Sequence, residues 1–155
     1  LVHVELEEAV ARYIEAEQIW SGFVAESPGD DQALEDLATC RRFLATHYRD
    51  EKQFDQAETY ARKSHLALQS LAEQAPSDTG RQRDLQESHS LLGSIARDRK
   101  DYETALAEYQ TALSINQRLL ENDLGNIDLT MDAMDIKMMV SATETDLRLQ
   151  QLGLD

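Results

Sequence analysis

The residues able to do acid–base, nucleophilic or metal chemistry are few in this chain, and their spacing fits none of it. The four histidines, His3, His47, His65 and His89, form no His-Glu-x-x-His pair or other ligand spacing. Cys40 has no base near it in sequence, so a small buried thiol is its expected role. Asp128, Asp132 and Asp135 share one face at helical spacing. A helix start favours negative charge, and plain solvation of an outer face accounts for the rest. The stretch Asn122-Asp123-Leu124-Gly125-Asn126 lacks the alternating oxygen ligands and closing glutamate of a calcium loop. Neither a phosphate-cradling glycine loop nor a nucleophile elbow occurs. The sequence therefore predicts no catalytic residue, no metal and no cofactor, and the chain reads as a non-enzyme.

What charge and composition exclude points the same way. The 155 residues carry a net charge of −15. Residues 1–36 hold ten acids against the single base Arg12. A nucleic-acid binder must neutralise phosphates with lysine and arginine, so this balance argues against one. An anionic membrane surface is disfavoured for the same reason, and no apolar run approaches the ~20 residues needed to span a bilayer. A basic or neutral protein partner is easier to accommodate. The lone cysteine permits no intrachain disulfide, which fits a reducing, cytoplasmic setting. The start, Leu-Val-His-Val-Glu, has neither the basic nor the apolar region of a signal peptide.

The elements that must position these side chains emerge from an internal repeat. Phe54-Asp55-Gln56-Ala57 superimposes on Tyr102-Glu103-Thr104-Ala105 at an offset of 48. The same offset pairs Leu37 with Leu85, Leu44 with Leu92, Leu71 with Leu119 and Pro28 with Pro76. Extended backwards, it pairs Leu6 with Phe54, Ala9 with Ala57 and Trp20 with Leu68. Within each period apolar residues recur every three or four positions, as in Tyr102, Ala105, Tyr109, Ala112 and Ile115. Pro28 and Pro76 oppose helix continuation. Asp30, Asp78 and Asn126 are placed to cap the helices that follow, and Gly125 to end one in a left-handed conformation. The spacing predicts six helices, near 3–26, 31–50, 54–75, 79–99, 102–122 and 127–151. They group as a half repeat (1–27), two full repeats (31–75 and 79–123) and a second half repeat (127–155), all within one domain. The chain reads as a window on a longer array.

Residues 91–113 resemble the tetratricopeptide repeat. Leu92, Gly93, Ala96, Asp101, Tyr102, Ala105, Tyr109 and Ala112 fall on that family's positions, with Lys100 in place of the usual turn glycine. Leu44, Ala45, Tyr48, Phe54, Ala57, Ala61 and Ser64 match more loosely, as do Leu6, Ala9, Tyr13 and Ala16. The period of 48 departs from the common 34 residues and resembles the long bacterial repeats that flank kinase, caspase-like or ATPase signalling domains. The last helix departs most from the pattern, with Val140, Ser141 and Glu144 where Leu92, Gly93 and Ala96 stand.

The resemblance implies an all-α fold, an α-α superhelix of about six antiparallel helices, whose concave face is lined by the first helix of each hairpin. Carried across residue by residue, that face includes Thr39, Arg42, Thr46 and Arg49. The next repeat adds Glu87, Ser90, Ser94, Arg97 and Asp98, and the last helix adds Asp135, Met138, Ala142 and Thr145. Arg42, Arg49 and Arg97 form a basic stripe able to take a carboxylate or acidic peptide. They are equally placed to pair with acids such as Asp50 and Asp98, the commoner arrangement. Met131, Met134, Met138 and Met139 suit either an adaptable binding surface or, more often, a core. Exposed methionine is expected where a partner helix is missing. His47 stands where Ile95 stands one repeat later and is expected at a helix contact. His89 aligns with Arg41 and is expected to be exposed.

The function expected is a scaffold that holds a peptide or partner domain on its concave face. The alternatives are self-assembly through exposed terminal helices, the first bearing Val4, Ile14, Ile19 and Trp20, or a regulatory spacer in a larger signalling protein.

Overall fold

Each break in the 48-residue pattern turns the chain for a local reason. The computed structural model describes residues 2–154, and their side chains from residue 7 onward. What the sequence predicts of His3, Val4 and Leu6 lies outside the described residues. Among the described residues there are six α-helices and no strand: α1 (Val2–Glu26), α2 (Asp31–Asp50), α3 (Phe54–Gln74), α4 (Thr79–Asp98), α5 (Tyr102–Asn122) and α6 (Ile127–Gln151). None is long and apolar enough to cross a membrane.

The starts are set by caps. The side chains of Asp30, Asp78 and Asn126 accept from the backbone N–H groups of Ala33, Arg81 and Leu129, as their types predict. Asp101 does the same for α5, accepting from Thr104. The stops differ from expectation at one point. Gly125 is not in the left-handed region; that conformation falls on Lys52 (φ 59°), Lys100 (φ 63°) and Gly153 (φ 69°). Two backbone bonds close each of these ends. Lys52 and Gln53 donate to Arg49 and Tyr48, Lys100 and Asp101 to Arg97 and Ala96, and Gly153 and Leu154 to Gln150 and Leu149. Arg148 occupies the repeat position of Lys52 and Lys100, yet α6 runs through it, making 25 residues where α2 and α4 have 20.

The chain divides into two compact units between Gln74 and Ala75, at the boundary between the full repeats. In the first unit α2 packs against α1 and α3. Ala38, Ala67, Leu68 and Leu71 form one cluster with Leu34 against it, and Tyr13 stacks on Phe43 with ring centroids 3.8 Å apart. The Ser64 hydroxyl donates to the Ala38 carbonyl at 2.8 Å, a bond that brings α3 close to α2. Arg41 donates to Glu17 at 2.9 Å and to the Ser21 hydroxyl at 3.2 Å, tying α2 to α1.

In the second unit α5 packs against α4 and α6. One cluster joins Ala96, Ala105, Tyr109, Ala112 and Ile136; another joins Ile115, Leu119 and Leu129. The small residues matter because they set how near helices come. Ala57, Ala105 and Ala112 are wholly buried, and Gly93 leaves no room for a Cβ against the Tyr109 ring. The buried Asn116 amide donates to the Leu129 carbonyl at 3.1 Å, while its own oxygen has no partner.

Two expectations are corrected here. His89 is not exposed: its Nδ1 lies 2.7 Å from a Glu108 carboxylate oxygen, because α5 brings an acid to that position. The methionines are not core. Met131, Met134, Met138 and Met139 are 58, 61, 68 and 41% exposed, since α6 turns Leu129, Ala133, Ile136 and Thr143 inward instead.

A candidate binding pocket between α4 and α6

Gln86, Ser90 and Ser94 recur every fourth residue along α4 and therefore stand one above another on a single face. Asp132, Asp135, Ile136 and Met139 form the matching stripe of α6. Together with Tyr109 of α5 these residues line an open pocket of about 150 Å³. A cavity of that size has room for about a six-carbon ring.

Ion pairs bracket the pocket. Arg83 donates to Asp132 at 2.9–3.0 Å, and Arg97 to Asp146 at 2.7–2.8 Å. The two arginines are fourteen residues apart, as are the two aspartates, about 21 Å at 1.5 Å per residue. The pairs join α4 to α6 while the stretch between them stays open.

Inside, the hydrogen bonds are unevenly spent. The Ser94 hydroxyl donates to the Ser90 carbonyl at 2.9 Å and lies 2.9 Å from the Tyr109 hydroxyl. A serine has one proton to give, so the tyrosine is the donor of that second bond. Deeper in, Gln86 is 3% exposed and its Oε1 is buried without a partner; the Ser90 Oγ is likewise buried and unpartnered. A buried polar atom left unpaired costs about 1–3 kcal/mol, so two beside one cavity mark it as a place where a donor would be welcome.

The residues that the repeat resemblance marked divide between the units. Arg42, Thr46 and Arg49 lie on α2; Thr46 is exposed and donates to the Arg42 carbonyl at 3.0 Å. Ser90 and Ser94 come together in the pocket, with Asp135 at its exposed edge. Arg97 and Met138 do not line it: Arg97 is engaged by Asp146, and Met138 points to solvent. Arg97 pairs with Asp146 of α6 and not with Asp98, its neighbour in sequence.

Gln86 is not marked by the sequence reading, and Tyr109 is marked there only as a repeat position, though the repeat holds the signal for both. They stand where Ala38 and Ala61 stand one period earlier. A polar amide at a position whose counterpart is fully buried is a reason to look there.

Burial, followed by the charges of Asp36 and Glu17, pushes the Cys40 thiol up from its ordinary value of 9.0. That makes it a poorer nucleophile. Among the described residues no group of three or more histidine, cysteine, aspartate or glutamate side chains is placed to hold a metal ion. No protein-family model matches the chain, and no curated protein matches it.

Proposed function

We propose that this chain is a protein-interaction module of tetratricopeptide type, holding a peptide or partner segment on the α4–α6 face of its second unit. The observation that carries this reading is the open α4–α6 pocket, where Gln86 Oε1 and Ser90 Oγ are buried without partners beside Ser94. Two of the three buried side-chain atoms without a hydrogen-bond partner among the described residues belong to residues lining this one pocket. The acidic balance favours a basic or neutral partner over a nucleic acid. The reading includes no chemistry by the chain itself, and a reducing, cytoplasmic setting suits its lone thiol.

Selection of displayed random peptides on the immobilised chain, followed by calorimetry, tests the proposal. Peptides should bind with micromolar affinity, and Ser90→Trp, which fills the pocket, should weaken them at least tenfold while the helical circular dichroism is kept. No selected peptide, or unchanged affinity in a folded Ser90→Trp variant, would overturn it.

A second reading, self-assembly, rests on the apolar side chains left bare on two helices. Ile19 and Phe23 are exposed on α1, and Met131, Met134 and Met138 on α6. Light scattering that gives a monomer mass at every concentration would exclude it.

A further inference from the structure

We propose that the α4–α6 pocket is a receptor for a primary ammonium group, the side chain of a lysine in the bound partner. The inference rests on the interaction-module reading and names the partner's chemistry at one point.

Three features converge on a cation with an unbranched apolar stem. Gln86 Oε1 and Ser90 Oγ are buried acceptors without a partner, one turn apart on the same helix face. Asp135 is exposed at the edge and makes no ion pair among the described residues, whereas the carboxylate of Asp132 is already held by Arg83. The net charge beside the pocket is thus negative, and the chain's −15 adds to it over a longer range. Ile136, Met139 and the Tyr109 ring supply the apolar wall along which a four-carbon stem can lie.

An ammonium is favoured over a guanidinium. It is compact and its three donors can turn toward acceptors on different sides. An amide oxygen, a hydroxyl and a carboxylate from two helices are such a set. A guanidinium is a planar fork that pairs best with one carboxylate presenting both oxygens.

The pocket is tested on the intact chain with n-butylammonium as probe, n-butanol as its neutral counterpart and methylguanidinium as the competing cation. The methyl NMR signals of Met139 and Ile136 report the pocket, and those of Met131 and Met134 report the open surface. n-Butylammonium should shift Met139 and Ile136 saturably, on the order of millimolar for so small a probe. n-Butanol should bind at least tenfold more weakly. Gln86→Leu should weaken n-butylammonium about tenfold, and Asp135→Asn about threefold. Both variants should keep the wild-type helical spectrum, because Gln86→Leu places an apolar side chain where the preceding repeat has Ala38.

Equal binding of n-butanol, preferential binding of methylguanidinium, or shifts confined to Met131 and Met134 would each overturn the inference. So would full binding by folded Gln86→Leu. Its failure is separable from that of the module reading. Peptides that bind at Ser90 but tolerate lysine-to-norleucine exchange sink the ammonium site alone. Saturable n-butylammonium binding with no peptide selected sinks the module and leaves the site.

Discussion

A Cβ placed on Gly93 of α4 would come within 2.9 Å of both Cδ1 and Cε1 of Tyr109 on α5. The tyrosine is 1% exposed and its hydroxyl is held by Ser94, so the ring has little freedom to move aside. One repeat earlier the same two positions are Ala45 and Ala61, both buried. Bulk absent from one helix is made up on the other, and the pair changes together.

Gly93→Ala is therefore expected to destabilise the second unit. Alanine gains up to ~1 kcal/mol in helix propensity, but forcing a methyl into a filled core costs about 1–3 kcal/mol. Urea unfolding should show a net loss of about 1–2 kcal/mol. A stabilised variant would mean that the Tyr109 ring yields.

Lys100→Gly is expected to work in the other direction. A left-handed L-residue carries a strain of roughly 1–2 kcal/mol, and glycine escapes it while losing more chain entropy on folding. A net gain of about 0.5–1 kcal/mol should appear, and Lys52→Gly should give a similar one. Thermal unfolding measures both, and a lower midpoint in either variant would contradict the account.

Asn116→Leu tests the unpaired amide in the core. The side chain makes one bond, to the Leu129 carbonyl, and leaves its oxygen unpaired. Its counterpart one repeat earlier is Leu68. Replacing a half-satisfied polar group with an apolar one of similar size should be neutral or stabilising by up to ~1 kcal/mol. Ser64→Ala, which removes a bond with no such defect, should cost about 1 kcal/mol.

Alkaline pH should weaken the first unit. Burial raises the Cys40 thiol above 9.0, and burial with the nearby Tyr48 and Glu17 raises the Tyr60 hydroxyl above 10.0. Both groups hold their protons more tightly in the folded chain than in the unfolded one. The resulting stability is complete below their unfolded values and is lost as pH climbs through the folded ones. Urea midpoints should fall from about pH 9 upward, less steeply in a Cys40→Ala variant. At pH 8 the native thiol should react with a disulfide reagent far more slowly than in denaturant.

The helices were legible because their causes are local. Proline, a capping aspartate and three–four spacing act within one turn, and the predicted ends of α1 to α6 fall within a residue of those observed. Gly125 misled because a glycine only permits a left-handed turn. Lys100 adopts it because the two bonds closing that helix end require it. The candidate site was half legible. Ser90 and Ser94 followed from the resemblance to the tetratricopeptide repeat, whereas the pocket roles of Gln86 and Tyr109 and the Arg97–Asp146 pair depend on which helix lies opposite. Asp146 stands at the repeat position of Asp98, but nothing within either segment names its partner.

The correspondence of Gln86 with Ala38, and of Tyr109 with Ala61, has a consequence for how such a pocket arises. A duplicated segment is a spare copy. One copy can carry two buried alanines and go on supplying a sound hairpin while the other carries a buried amide and a phenol. Each hairpin can then differ at its buried pair while its sibling keeps another workable pair in the same molecule. Exchanging those two residues between the copies would replay the change in either direction.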